Sequence, residues 1–257
     1  MIRSALVALL GLWVCLADET SWARREYFTP EQKEHLAKAQ TILVEPIAIT
    51  DKGTVPAEAI GKTVSTRLQE VGYATVSKPS EPHDVVLRVK CEQRKTWEGT
   101  AAVGGDADLP DSPSRVWKGP ACQLNYLLDG TKIKWQKEVR TEFQDAGEAA
   151  QKAGAGDPGS YTMSKLGERL QQYDFPLILA SEWGQADRLL KIMDSAGTDQ
   201  ILKLKIISLL GEMQADEAFP KLKEALKDKN LATQAAEALG RTGKESIPIL
   251  VDMLKTS

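Results

Sequence analysis

The stretch AFPKLKEALKDKNLATQAAEALGRTGKESIPILVDML, residues 218–254, decides the fold, because its beginning returns near its end. Phe219-Pro220 comes back as Ile247-Pro248, Leu222 as Leu250 and Leu226 as Leu254, a spacing of 28 residues. Stacked helical hairpins leave a period of that length. Each hairpin buries one face against its neighbours and keeps a long surface free, so the pattern favours a docking scaffold. Working backwards, 186–195 (ADRLLKIMDS) pairs with 199–213 (DQILKLKIISLLGEM), 218–228 with 230–243, and 245–255 stands alone. Pro220 and Pro248 fall in first helical turns, where a missing N–H costs nothing, and Gly240 and Gly243 end a helix and turn the chain.

In the last segment Ile247, Leu250, Val251 and Leu254 form a stripe expected to pack on the preceding repeat. Ile249 and Met253 then point the other way and are the candidate partner-binding residues, an apolar edge for a second copy or for a partner's helix. The alternative is that the linker or the helix 161–174 folds back over them.

Residues 41–142 read as a separate α+β domain. TILVEPIAIT (41–50) suits a buried strand, 55–72 places Ala57, Ile60, Val64 and Leu68 on one helical face, and YATVS (73–77) is a second strand. Short turns between them favour a parallel pair with the helix on one face. In 83–98 Val85, Leu87, Val89 and Cys91 alternate with polar positions. Asp129-Gly130 lies between two more alternating runs and signals a hairpin that pairs Leu128 with Thr131, Tyr126 with Ile133 and Leu124 with Trp135. A Cys91–Cys122 bridge would independently pair Val89 with Leu124 and Leu87 with Tyr126, so a three-stranded antiparallel meander is expected. The stretch 143–160, rich in Gly and Ala, reads as a linker with a turn or two of helix before a helical domain over 161–257.

Residues 1–17 carry one cation at Arg3, an apolar run from Ala5 to Ala17, and an acidic boundary at Asp18 and Glu19. That is the outline of a secretory signal peptide, followed by an extension over 18–40. A buried N-terminal helix is the alternative. Cys15 offers a lipid anchor as a second route, although Val14 stands where a small residue normally precedes a lipidated cysteine. Export to a periplasmic or extracellular space would leave Cys91 and Cys122 as a disulfide pair.

The C-terminal motifs "AAEALGRTG", "FPKLKEAL" and "IPILVDML" resemble the short HEAT-like repeats of phycobilisome-lyase type. The first repeat departs from the pattern, with Ile206-Ile207 replacing alanines and Glu212-Met213-Gln214 replacing the Gly-ended turn. The resemblance implies a protein-binding solenoid and carries no lyase chemistry with it. More weakly, "ILVEPIAI", "VSTRLQEVGYATV" and "HDVVLRVKCE" resemble bacterial envelope domains, among them the N-terminal domain of the Tol translocation protein and lipoprotein domains of curli-secretion and penicillin-binding-protein-activator type. "TDKGTVP" replaces their usual turn. That resemblance implies an envelope protein as partner and no catalysis.

Other functions find little footing. A net charge of −3, with 11 basic and 11 acidic residues in 183–257, offers no basic patch for nucleic acid. Two histidines and no CxxC leave too few ligands for zinc. Asp106, Asp108 and Asp111 in the acidic loop 98–114 lack the Gly and closing Glu of an EF-hand. His83 beside Asp84 has no nucleophile near it in a motif. Trp97, Trp117 and Trp135 fit core or half-buried strand positions better than an aromatic ligand platform. The expectation is a non-enzymatic envelope adaptor without cofactor; an accessory subunit of an envelope hydrolase or lyase is the alternative.

Overall fold

The computed structural model describes residues 28–100, 114–128, 130–132, 135–243, 246–249 and 251. The expected signal peptide, Cys15, the loop aspartates 106, 108 and 111, and Met253 lie outside them.

Ten residues rich in Ile, Leu and Val form β1 (Thr41–Thr50) at the heart of a mixed seven-stranded sheet. Its first residues pair in parallel with β3 (Ala74–Val76), and its last pair antiparallel with β2 (Gly53–Val55), a strand where the sequence predicts a turn. Along its other edge runs β4 (Val85–Thr100), parallel, with Ile42 opposite Val85 and Ala48 opposite Cys91. β5 (Ser114–Leu128) is antiparallel to β4 and brings Cys91 opposite Cys122, Val89 opposite Leu124 and Leu87 opposite Tyr126, the register that a Cys91–Cys122 bridge predicts. The two cysteines are disulfide-bonded.

The hairpin after β5 differs from expectation. Leu128 pairs with Thr131 in β6 (Thr131–Lys132), but Leu124 pairs with Lys137 in β7 (Lys137–Arg140), two residues beyond the expected partner Trp135. A shift of two keeps every side chain on its own face. It releases Trp135 from the ladder, and its ring tucks against Tyr126 at 5.2 Å between centroids.

One face of the sheet is dry. Ile42, Val44, Val85, Leu87, Val89, Leu124 and Tyr126 are all buried there. Helix α2 (Glu58–Glu70) covers β1 and β3 through Ile60, Val64 and Leu68, each burial stabilising by roughly 1.5–3 kcal/mol. Gly61 lets it lie close, since a Cβ there would meet Pro46 Cγ at 2.9 Å. On the opposite face β1 and β4 present a charged pair, Arg88 donating to Glu45 at 2.8 Å.

Residues 143–160 are more than a linker. Asp145 accepts the Glu148 N–H and starts α3 (Ala146–Lys152), and Asp157 accepts the Ser160 N–H and starts α4 (Pro158–Gln172). Two side-chain caps and a proline in the first turn make this local order. α4 belongs to the sheet rather than to the repeats, because it packs on β4, β5, β7 and α2. The 18–40 extension likewise contains α1 (Pro30–Lys38), which buries Leu36 in the core.

A helical region follows: α5 (Phe175–Glu182), α6 (Ala186–Met193), α7 (Gln200–Met213), a 3₁₀ turn at Asp216–Ala218, α8 (Phe219–Ala225) and α9 (Ala232–Arg241). Buried residues run without interruption from Leu36 through the sheet to Leu239. No helix among the described residues is long and apolar enough to cross a membrane.

Candidate interaction surfaces

In the helical region α6 packs on α7 and α8 on α9, while α7 and α9 pack on each other and α5 packs on α7. The contact between α7 and α9 is made by small residues. Gly211 faces Ala238 so closely that a Cβ on Gly211 would sit 2.7 Å from the Ala238 Cα, and Ala235 and Ala238 are buried. Where the first repeat lacks a terminating glycine, Gln214 itself takes the left-handed conformation with φ 55° and ends α7. That is the strained alternative to glycine at a helix C-terminus. Pro220 sits in the first turn of α8, as expected.

The last helical stretch presents its other face. Ile247 is 55% exposed and Val251 42% exposed, although both were assigned to the packed stripe, whereas Ile249 is half-buried. The cause is the preceding turn: Ser246 is buried and donates its hydroxyl to Gly243 O at 2.6 Å, with Gly243 at φ 102°. With Ser246 inward, positions one and five residues later turn outward and position 249 turns in. Ile249 is thus less exposed than Ile247 and Val251, and its expected companion Met253 lies outside the described residues.

The polar candidates have structural duties. Asp84 accepts the backbone N–H groups of Gln40 and Thr41, both at 2.8 Å, and its own carbonyl oxygen meets His35 Nε2 at 3.1 Å. Burial pushes the Asp84 carboxyl up, but those two N–H donors and the nearby His35 and His83 outweigh it and hold it below the usual range. His83 Nδ1 lies 2.7 Å from the Glu81 carbonyl. Among the described residues no group of three or more His, Cys, Asp or Glu side chains could hold a metal ion.

A groove of about 620 Å³ lies between α2, α4 and the end of β1. Val55, Ile60 and Met163 line it together with Gly159, Ser164 and Gly167. The Lys52 ammonium bonds the Asp157 carboxylate, which with the Ser160 N–H lowers that carboxyl to about 2.

The junction of sheet and repeats holds residues that sequence reasoning missed: Tyr73, Gln185 and Arg188. Gln185, just ahead of α6, is buried and has all its groups engaged. Its Nε2 donates to Leu36 O at 2.8 Å and Ala39 O at 2.9 Å, and its Oε1 accepts from Tyr73 Oη at 2.8 Å and Arg188 Nε at 2.7 Å. Arg188 also donates to Val71 O at 3.1 Å and Gln40 Oε1 at 2.6 Å, and its guanidinium stands 3.8 Å over the Tyr73 ring. That carbonyl follows the end of α2, where a cation is favoured. Burial raises the Tyr73 hydroxyl's pKa, which Arg188 only partly offsets. Trp183 packs edge-on against both Tyr73 and Tyr126, at 5.6 and 5.4 Å.

Residues 186–257 match a family described as HEAT repeats. The match covers 72 residues of the chain (186 to 257), and the close α7–α9 contact and Pro220 in the first turn of α8 are consistent with it. Such repeats generally mediate protein–protein interaction. The match does not reach the sheet, where the resemblance to envelope domains finds no support. No curated protein matches the chain.

Proposed function

We propose that this protein is a non-enzymatic scaffold, exported to the cell envelope, that binds protein partners through the surface of its HEAT-like repeats and through its α+β part. The observation that carries the reading is the run α6 to α9, matched as HEAT repeats and packed through Gly211 and Ala238. What supports export is the pair Cys91 and Cys122, both buried and bridged, since such a bond persists in oxidising compartments. The apolar run 5–17 supports it from the sequence side.

The experiment is site-specific photocrosslinking in the native host. A photoreactive residue is placed at Glu237 or Ile247 on the repeats, and at Lys90 on the sheet face opposite α2 for comparison. Adducts of defined mass from the repeat positions, in the exported fraction, are expected. Adducts absent from every repeat position, or protein found only in the cytoplasm, would refute the scaffold or the export half respectively.

A further inference from the structure

We infer that α1 is a strap whose seating and the docking of α6 are a single coupled event, so that a change at the repeats is felt at α1 and the reverse. This goes beyond the scaffold reading and does not depend on who the partner is.

The coupling rests on Gln185. Both of its amide N–H groups are spent on α1, on Leu36 O and Ala39 O, while its oxygen is spent on Tyr73 and on Arg188 of α6. The side chain is buried, at 6% exposure, so water cannot replace a lost acceptor without the junction opening. Lifting α1 removes both acceptors at once. The amide must then reorient or follow, and either movement disturbs the oxygen that orders Tyr73 and Arg188. Drawing α6 away withdraws the Gln185 donors from the Leu36 and Ala39 carbonyls at the end of α1, leaving Leu36 O only the 3.2 Å bond from the Ala39 N–H.

α1 itself buries little apolar surface. It spans nine residues, and Leu36 is its only buried side chain. A helix of that length is not stable alone in water. Its other contacts include Phe28 stacked on Tyr126 at 6.3 Å, His35 on the Asp84 carbonyl, and a capping box in which Thr29 and Gln32 bond each other's backbone N–H at 3.2 and 3.1 Å. Short elements with few buried apolar side chains open ahead of the core. Coupling of this kind is reciprocal in free energy, so a partner that shifts α6 loosens α1 by the factor with which loosening α1 shifts α6.

The capping box gives a handle on α1 that touches neither Gln185 nor α6. Thr29→Ala removes an exposed N-cap and should raise the opening of α1 about fivefold. Peptide-resolved hydrogen exchange on the full chain is the measurement. Exchange should rise over 30–39 and, in step with it, over 185–193, with 232–241 unchanged. Leu36→Ala, which draws out the one buried anchor, should give the same pattern more strongly. Faster exchange over 30–39 with 185–193 unmoved in both variants overturns the coupling. A uniform rise that includes 232–241 is global unfolding and counts against it too, as does Leu36→Ala leaving both segments at wild-type protection.

Discussion

Alanine at Gly211 and alanine at Gly240 should change stability in opposite directions. Both glycines lie inside helices, α7 and α9, where replacing glycine by alanine ordinarily stabilises by roughly 0.5–1 kcal/mol. At Gly240 a Cβ would meet nothing within 4 Å, so Gly240→Ala should approach that gain, reduced by its place in the last turn. At Gly211 the same Cβ would lie 2.7 Å from both the Cα and the Cβ of Ala238. The Cα belongs to the backbone of α9, so no rotamer change relieves the clash, and the two helices must separate. Overpacking of a tight core costs about 1–3 kcal/mol. Set against the propensity gain, Gly211→Ala should destabilise by about 0.5–2 kcal/mol. Urea denaturation reads this as a fall in midpoint at constant slope. A Gly211→Ala midpoint raised as much as that of Gly240→Ala would mean that α7 and α9 do not meet there, and the repeat packing would be wrong.

Ala238→Leu, at a position buried against Gly211, should cost about 1–3 kcal/mol in the same assay; an unchanged midpoint would place the packed face elsewhere. Replacing both Cys91 and Cys122 with alanine frees a loop closed at a sequence separation of 31 and should cost on the order of 3–4 kcal/mol in the chain-entropy account. Equal stability of the bridged protein and the double variant would remove the bond from the list of what holds the sheet. Asp84 has a lowered pKa, so its contribution is complete above the ordinary Asp value of about 3.9 and is lost as pH falls through the folded value. Asp84→Asn should therefore flatten the acid limb of a stability-versus-pH curve. Superimposable limbs for the variant and the wild type would show that Asp84 is not what holds Gln40 and Thr41.

Local pattern made part of this fold readable. β1 begins and ends where its apolar run does, α2 buries the Ile60, Val64 and Leu68 its period marks, and Cys91 opposite Cys122 sets the β4–β5 register. What stayed hidden has no local signature. The two-residue shift before Lys137 preserves alternation, so no pattern of apolar and polar residues distinguishes it from the expected register. The stripe of Leu166 and Leu170 shows that α4 has a buried face but not that the face belongs to the sheet. Gln185 bonds groups 112, 146 and 149 residues away, a distance at which sequence spacing says nothing. Ile247 is exposed and Ile249 half-buried, a phase of the last helix that apolar spacing alone does not fix. For the candidate surfaces, then, the repeats were legible as a class of structure and their exposed face was not.

The junction bears on how such a scaffold would work. Repeats joined to a second part by a free linker would present two surfaces whose relative orientation has to be fixed on binding, at an entropic cost. Here the apolar core runs unbroken from Leu36 to Leu239, and Gln185, Arg188 and Asp174 each bridge elements of the two parts, Asp174 through both Arg67 and Lys205. Orientation is therefore set before any partner arrives. A partner touching both the repeats and the sheet gains from that preorganisation, and one touching the repeats alone gains nothing from the sheet. Weakening Gln185 should consequently lower affinity only for a partner of the first kind, which makes this buried amide, remote from either outer surface, a probe of how much of the molecule a partner covers.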